Sequence, residues 1–257
     1  MTDSHKRTIP QSGFEGDDGS ADPELARALS AHRRGEIDRY ALYPALAGKR
    51  LLAPVVAILG ESEPVERGEG DGLRRDKDSE MALVTLLAAD GAKAVPVFTS
   101  TEKLSVWGST SGFPGARPVP VSVERAAAAT IQEEADVLLI DLGTEEQFEL
   151  AGAALRAFAT GRVPAPPDAD PDVVAALLVV LRSVPEVADV LESARVGAFA
   201  QGAVLELGFT QGTDPRTLAE PLRRVAEGIA ADPLLRDRLG DGLSIVSAPP
   251  PDESEDA

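Results

Sequence analysis

Apolar residues fall along this chain in two alternating patterns. Short unbroken apolar runs, the mark of buried strands, occupy 51–59 (LLAPVVAIL), 81–88, 93–98 and 136–141 (DVLLID). Shorter strands are predicted over 118–122, 188–198, 204–209 and 243–246. Elsewhere the spacing is helical. Phe148, Ala151, Leu155 and Phe158 share one face, as do Val174, Leu177, Leu178 and Leu181. Leu218, Leu222, Val225 and Ile229 form a further stripe, and 123–133 reads as a short helix.

Local chemistry punctuates these elements. Asp-Pro occurs at Asp22, Asp170, Asp214 and Asp232, each time before a helical run. Asp accepts from the first free N–H groups of a helix, and Pro is preorganised for its first position. Thr99 with Glu102 reads as a capping box opening a helix through Trp107, and Thr144 with Gln147 as a second box. Asp90-Gly91 predicts a hairpin between 81–88 and 93–98, and Gln201-Gly202 a turn between 188–198 and 204–209. Pro54 predicts an edge or a bulge for 51–59, and Pro118 with Pro120 place 118–122 at an edge. Pro221 is expected to bend or delay its helix.

The resulting fold class is α/β or α+β in two domains. A mixed sheet flanked by helices is expected over 21–160. The Pro-rich stretch 161–170 reads as a linker, and 171–249 as a smaller α-β-β-α-β domain. Residues 1–20 and 250–257 read as disordered tails.

Composition narrows the chemistry. Of 257 residues 43% are hydrophobic, enough for a core, but 40 are Ala and ten aromatic, so that core is aliphatic. The net charge is −18, and the stretches 1–24, 61–80 and 252–257 each carry −4, two thirds of it. No basic stripe is visible, which excludes nucleic acid as an expected partner. No apolar run is long enough to span a membrane, and the opening MTDSHKRTIP lacks the apolar centre of a signal peptide. A cytoplasmic protein is therefore expected. There is no Cys, and His occurs only as His5 and His32. Thiol catalysis, thiolate zinc and disulfides are excluded, and no metal or cofactor is predicted.

VPVFTS at 95–100, a helix ending in Trp107, RPVPVSV at 117–123 and a strand-Gly-helix around 141–158 together resemble the N-terminal domain of SseB-family proteins. LLAPVVAILGE at 51–61 and GLRRDKDSEMALVTL at 72–86 resemble its actinobacterial type. The resemblance covers about 20–160 well and 170–248 more weakly. It implies a two-domain protein of a family named for enhanced serine sensitivity. It brings no reaction and no catalytic motif, so no catalytic residue carries over.

Four sets of residues could carry function. Thr99 and Ser100 line up hydroxyls after a strand, where a helix start either binds an anion or is simply capped. Asp141 ends a buried strand just before Gly143. The carboxyl end of such a strand is where open α/β sheets gather ligands, and a carboxylate there binds an amino group, acts as a base or shapes the turn. Thr99, Ser100 and Asp141 together form the candidate ligand pocket. Arg74, Arg75 and Lys77 make a basic knot, either a docking patch or local partners of Asp71, Asp76, Asp78 and Glu80. Trp107, the single Trp, suits a partner surface or a packed helix. The glycines at 68, 70 and 72 sit among acids that repel phosphate, and the acids of 71–80 lack calcium-loop spacing. The favoured reading is a non-catalytic interaction or regulatory module with a protein partner. The alternatives are a binder of an amino-acid-like metabolite and an enzyme using carboxylates and hydroxyls.

Overall fold

The computed structural model describes residues 14, 16–58, 80–88, 91–199, 202–240 and 242–247. The chain divides into two compact units, Met1–Leu150 with Phe158–Thr160, and Ala151–Ala157 with Gly161–Ala257. Both are mixtures of helix and strand, of the α+β kind.

The first unit opens with α1 (Pro23–Arg33), capped by Asp22, whose carboxylate accepts from the N–H groups of Glu24 and Leu25. Leu25 and Leu29 lie one turn apart on its buried face. Next come α2 (Arg39–Leu46), β1 (Arg50–Ile58), β2 (Glu80–Leu83), β3 (Leu86–Leu87) and β4 (Lys93–Val97). The helix α3 (Thr101–Thr110) leads to β5 (Arg117–Ser122), and α4 (Val123–Gln132) to β6 (Val137–Ile140) and β7 (Phe148–Ala151). The last helix of the family-like region, α5 (Gly152–Ala159), straddles the division between the units.

Two sheets form here where one was expected: β2-β1-β5, and β3-β4-β6-β7. In the second sheet β3 runs antiparallel and β6 parallel to β4, so it is mixed. A bridge joins the sheets, with the Leu52 N–H on Phe98 O at 2.7 Å and the Phe98 N–H on Leu52 O at 2.9 Å. The run 81–88 is split to serve both, its first part pairing with β1 and its end with β4. Leu86 opposite Ala94 and Leu87 opposite Lys93 give the expected hairpin pairing.

Pro54 lies on the central strand, not on an edge. Its neighbour two residues back, Leu52, points its backbone groups away from β5 toward Phe98, so Pro54 points the same way. There the neighbouring strand changes from β4 to β2, and the Pro54 carbonyl still accepts the Val84 N–H at 3.1 Å. Pro54 faces Pro118 across a non-hydrogen-bonded pair. Pro118 and Pro120 of β5 therefore turn their nitrogens to the outer side, and β5 is an edge strand as its prolines predict.

The stretch 148–151 is a strand, where the sequence pattern predicts the start of a helix. Phe148 and Leu150 are buried while Glu149 and Ala151 are exposed, a period of two that the helical spacing of Phe148, Ala151 and Leu155 conceals. Gln147 accepts the Gly143 N–H with its side chain and so closes a turn rather than capping a helix.

The second unit contains a 3-10 turn (Pro167–Ala169), α6 (Pro171–Arg182), α7 (Pro185–Ala188), β8 (Leu191–Phe199), β9 (Gly202–Phe209), α8 (Pro215–Ala231), α9 (Pro233–Arg238) and β10 (Leu243–Ser247). Its sheet has the order β10-β9-β8, with β8 antiparallel and β10 parallel to β9. Asp170, Asp214 and Asp232 cap α6, α8 and α9, each with Pro in the first turn. Within 161–170 Pro167 is buried, and Asp170 also holds Arg238 at 2.5 Å. The core stripe of α6 is Val173, Leu177, Val180 and Leu181, rotated from the predicted one, since Leu178 is 36% exposed. Pro221 sits inside α8 without delaying its start. Leu177, Leu181, Leu205, Leu207, Val225 and Leu235 fill the core, each fully buried leucine contributing about 1.5–3 kcal/mol by removal from water.

Candidate functional site

The polar centre of the first unit lies where β4 and β6 end. Both strands run in parallel, with Val97 opposite Ile140, so the residues that follow them emerge side by side. Asp141 continues the ladder by donating its N–H to Val97 O at 2.8 Å, then turns the chain with φ 55°. That left-handed conformation is costly for most residues and easiest for Asp, Asn and Gly. Thr144 secures the turn through its N–H and hydroxyl, both on Asp141 O.

The Asp141 carboxylate is wholly buried. Its Oδ1 accepts the Thr99 N–H at 2.7 Å, and its Oδ2 lies 2.8 Å from the Thr99 hydroxyl. Oδ2 also accepts from Lys103 Nζ at 2.8 Å. The Lys103 ammonium lies 3.7 Å from Glu146 as well. A carboxylate removed from water must be paired and hydrogen-bonded, and here both oxygens are engaged by the fold.

Ser100, not Thr99, is the N-cap of α3, its hydroxyl accepting the Lys103 N–H at 3.2 Å. The cap read at Thr99 falls one residue later, because Thr99 turns inward to Asp141, and with Lys103 in the third helical position it is a simple cap and not a box. Thr99 and Asp141 are bonded to one another, and Ser100, the next residue along, is bonded to the helix.

Around this centre Arg50 ties in the start of the chain. Its Nη1 donates to Thr99 O at 2.7 Å, its Nε lies 2.7 Å from Asp17 Oδ2, and its Nη2 donates to Ser20 O. Thr101 donates its N–H to Gly19 O at 2.9 Å. A side chain at Gly19 would place Cβ 2.5 Å from Thr101 Cγ2, so only glycine passes there. Residues 16–20, expected to belong to a disordered tail, are held in place by these bonds. Of the rest of 1–20, only residue 14 lies within the described residues, and 250–257 lie outside them.

Trp107 is buried at 5% exposure between Phe98 and Phe113, its ring stacked on Phe113 at 5.5 Å. It is a packing residue of α3 and presents no face to a partner. Arg74, Arg75 and Lys77 lie outside the described residues. His32 points its Nδ1 at Ile37 O and packs edge-on against Phe148. Among the described residues no cluster of three or more His, Cys, Asp or Glu is placed to hold a metal ion. No helix among them is long and apolar enough to cross a membrane.

Sequence reasoning missed Lys103, Arg50 and Asp17. Lys103 stands one helical turn after Thr99, a spacing that could have revealed it. Arg50 and Asp17 meet across 33 residues and leave no local signal.

The profile of the SseB protein N-terminal domain matches residues 25–157, just over half of the chain. This chain belongs to the SseB family. The match runs from within α1 into α5 and so includes Arg50, Thr99, Lys103 and Asp141, while Asp17 and Ser20 precede it. No curated protein and no solved structure matches the chain. Family membership therefore fixes what kind of domain surrounds Asp141, and the geometry alone speaks to its chemistry.

Proposed function

We propose that this SseB-family protein is a non-catalytic interaction or regulatory module, working by surface recognition in the cytoplasm. The observation that carries the reading is the state of Asp141. The most buried acid among the described residues of the first unit, at the strand ends where a ligand would sit, has both oxygens occupied by Thr99 and Lys103. A base or an amino-group receptor needs a free lone pair facing its ligand. That weighs against both the metabolite-binding and the enzymatic reading at this site.

Recognition is then assigned to the segment 61–80. It carries Arg74, Arg75 and Lys77 in a chain of net charge −18, and an isolated basic knot in an acidic protein attracts an acidic protein surface. The same net charge disfavours nucleic acid and anionic membranes.

Proximity labelling in the producing cell tests this, with wild type compared with the double variant Arg74→Glu, Arg75→Glu. The labelled partner set should disappear in the variant, with a melting temperature nearly unchanged if the two arginines serve recognition and not the fold. An unchanged partner set removes the segment from the reading. A thermal-shift screen with amino acids addresses the metabolite alternative, since a ligand at 100 times its Kd stabilises by about 2.7 kcal/mol.

A further inference from the structure

A cavity of about 300 Å³ lies in the second unit beside α6. Its apolar walls are Leu177, Leu178 and Leu181 of α6, Ala194 and Val196 of β8, and Leu205 of β9. The 3-10 turn Pro167–Ala169 packs against β8 and brings Asp168 to the cavity, which Arg195 of β8 also lines. Small-molecule pockets run from roughly 300 to 1,000 Å³, so this one suits a compact ligand.

The two charged residues of the lining have no protein partner among the described residues. Asp168 stands on a fixed platform, between the buried Pro167 and Asp170, which caps α6 and holds Arg238. Asp170 and Asp172 share Arg238, whereas the Asp168 carboxylate makes no salt bridge or hydrogen bond. Arg195 lies opposite Glu206 in the β8–β9 register, where a cross-strand ion pair would form, yet it pairs neither with Glu206 nor with Asp168. Both side chains keep contact with water, which spares the fold the cost of a buried lone charge. An acid and a base therefore line one apolar cavity without neutralising each other.

The geometry points to a site for an aliphatic amino acid, its ammonium on Asp168, its carboxylate on Arg195 and its side chain among the leucines of α6. A zwitterion satisfies both charges at once, whereas a simple amine or acid would cover one of them and leave it unpaired. The planar guanidinium of arginine matches a carboxylate in shape as well as charge. The chain as a whole agrees with this choice. Its net charge of −18 repels a free anion at long range, and a zwitterion carries no net charge to be repelled. Apolar walls favour leucine, isoleucine or valine over a small polar amino acid. This site is distinct from Asp141 and from the segment 61–80, and it stands or falls without the surface-recognition reading.

The test is calorimetric titration of the full chain with leucine, isoleucine and valine. Three further probes each lack one feature: 3-methylbutylamine the carboxylate, 4-methylpentanoate the ammonium, and serine the aliphatic group. The best of the aliphatic amino acids should bind tighter than each of these probes by about tenfold or more. Asp168→Asn and Arg195→Gln should each weaken it by about tenfold or more, with melting temperatures near that of wild type. Asp168→Asn should also narrow the gap to 4-methylpentanoate, and Arg195→Gln the gap to 3-methylbutylamine. Should either variant unfold, Ala194→Val replaces it; it narrows the cavity, keeps both charges and should weaken the same ligand. The proposal is overturned if none of the three amino acids binds, or if the single-charge probes bind as tightly. It is equally overturned if binding survives the variants unchanged, since the ligand then sits elsewhere on the chain.

Discussion

Thr99 gives both its backbone N–H and its hydroxyl to the carboxylate of Asp141, 42 residues further along the chain. This relationship joins the ends of two parallel strands, and Lys103 supplies the balancing charge from the first turn of α3. Replacing Asp141 with Ala removes one partner of a buried pair and leaves the Thr99 N–H without an acceptor. The expected loss is about 3–5 kcal/mol, read from urea denaturation. Asp141→Asn should cost less, since an amide oxygen still accepts from Thr99 and Asn tolerates positive φ. A neutral Asp141→Ala would show that the carboxylate is not structural and would reopen the metabolite reading.

Stability should also show an acid limb traceable to Asp22. The Leu25 N–H in first place, then the Lys49 ammonium, hold its carboxyl below the ordinary value of 3.8, against a burial that pushes it up. A depressed folded pKa means stabilisation that is present above the unfolded value and lost as pH falls through the folded one. Asp22→Asn keeps a capping oxygen but cannot titrate. Its melting temperature should therefore fall less than that of wild type between about pH 5 and pH 2. Parallel curves would mean that Asp22 contributes nothing to acid sensitivity.

The first unit is expected to fold alone only if the chain reaches Phe158. That ring is 1% exposed and lies 5.8 Å from Tyr43, edge to face. A fragment 14–160 should melt cooperatively. Ending it at 150 removes Phe158, and the loss of a buried Phe costs about 3–5 kcal/mol, enough to unfold a marginal domain. Equal stability of the two fragments, or no cooperative transition in the longer one, would count against this.

Pro118 and Pro120 face outward from β5 and withhold two donors from its free edge. Replacing both with Thr should leave the melting temperature near that of wild type while promoting strand-to-strand association. Light scattering after size exclusion at rising concentration checks it. A monomeric variant across the range would show that some other feature protects this edge.

Much of this was legible because it is local. The four Asp-Pro caps depend on residues two and three positions apart, and all four form. The edge position of β5 follows from its own prolines. Pro54 misled because its placement depends on which strand adjoins β1 at that point, a fact set by residues more than 25 positions away. The stretch 148–151 misled because four residues fit both a strand and the first turn of an amphipathic helix. At the candidate site, their places at the ends of predicted strands brought Thr99, Ser100 and Asp141 to notice. What they bond to was hidden, since parallel pairing of β4 with β6 had first to bring the two strand ends together.

The packing of Trp107 between Phe98 and Phe113 gives the molecule a built-in optical label. The chain has one Trp and two Tyr, at 107, 40 and 43, all within the first unit, while the second unit has neither. Excitation near 290 nm therefore watches one half of the protein, and far-ultraviolet circular dichroism watches both. Where the two signals part company along a denaturant series, the difference belongs to the spectroscopically dark half. The energetic independence of the units can thus be read on the intact, unlabelled chain.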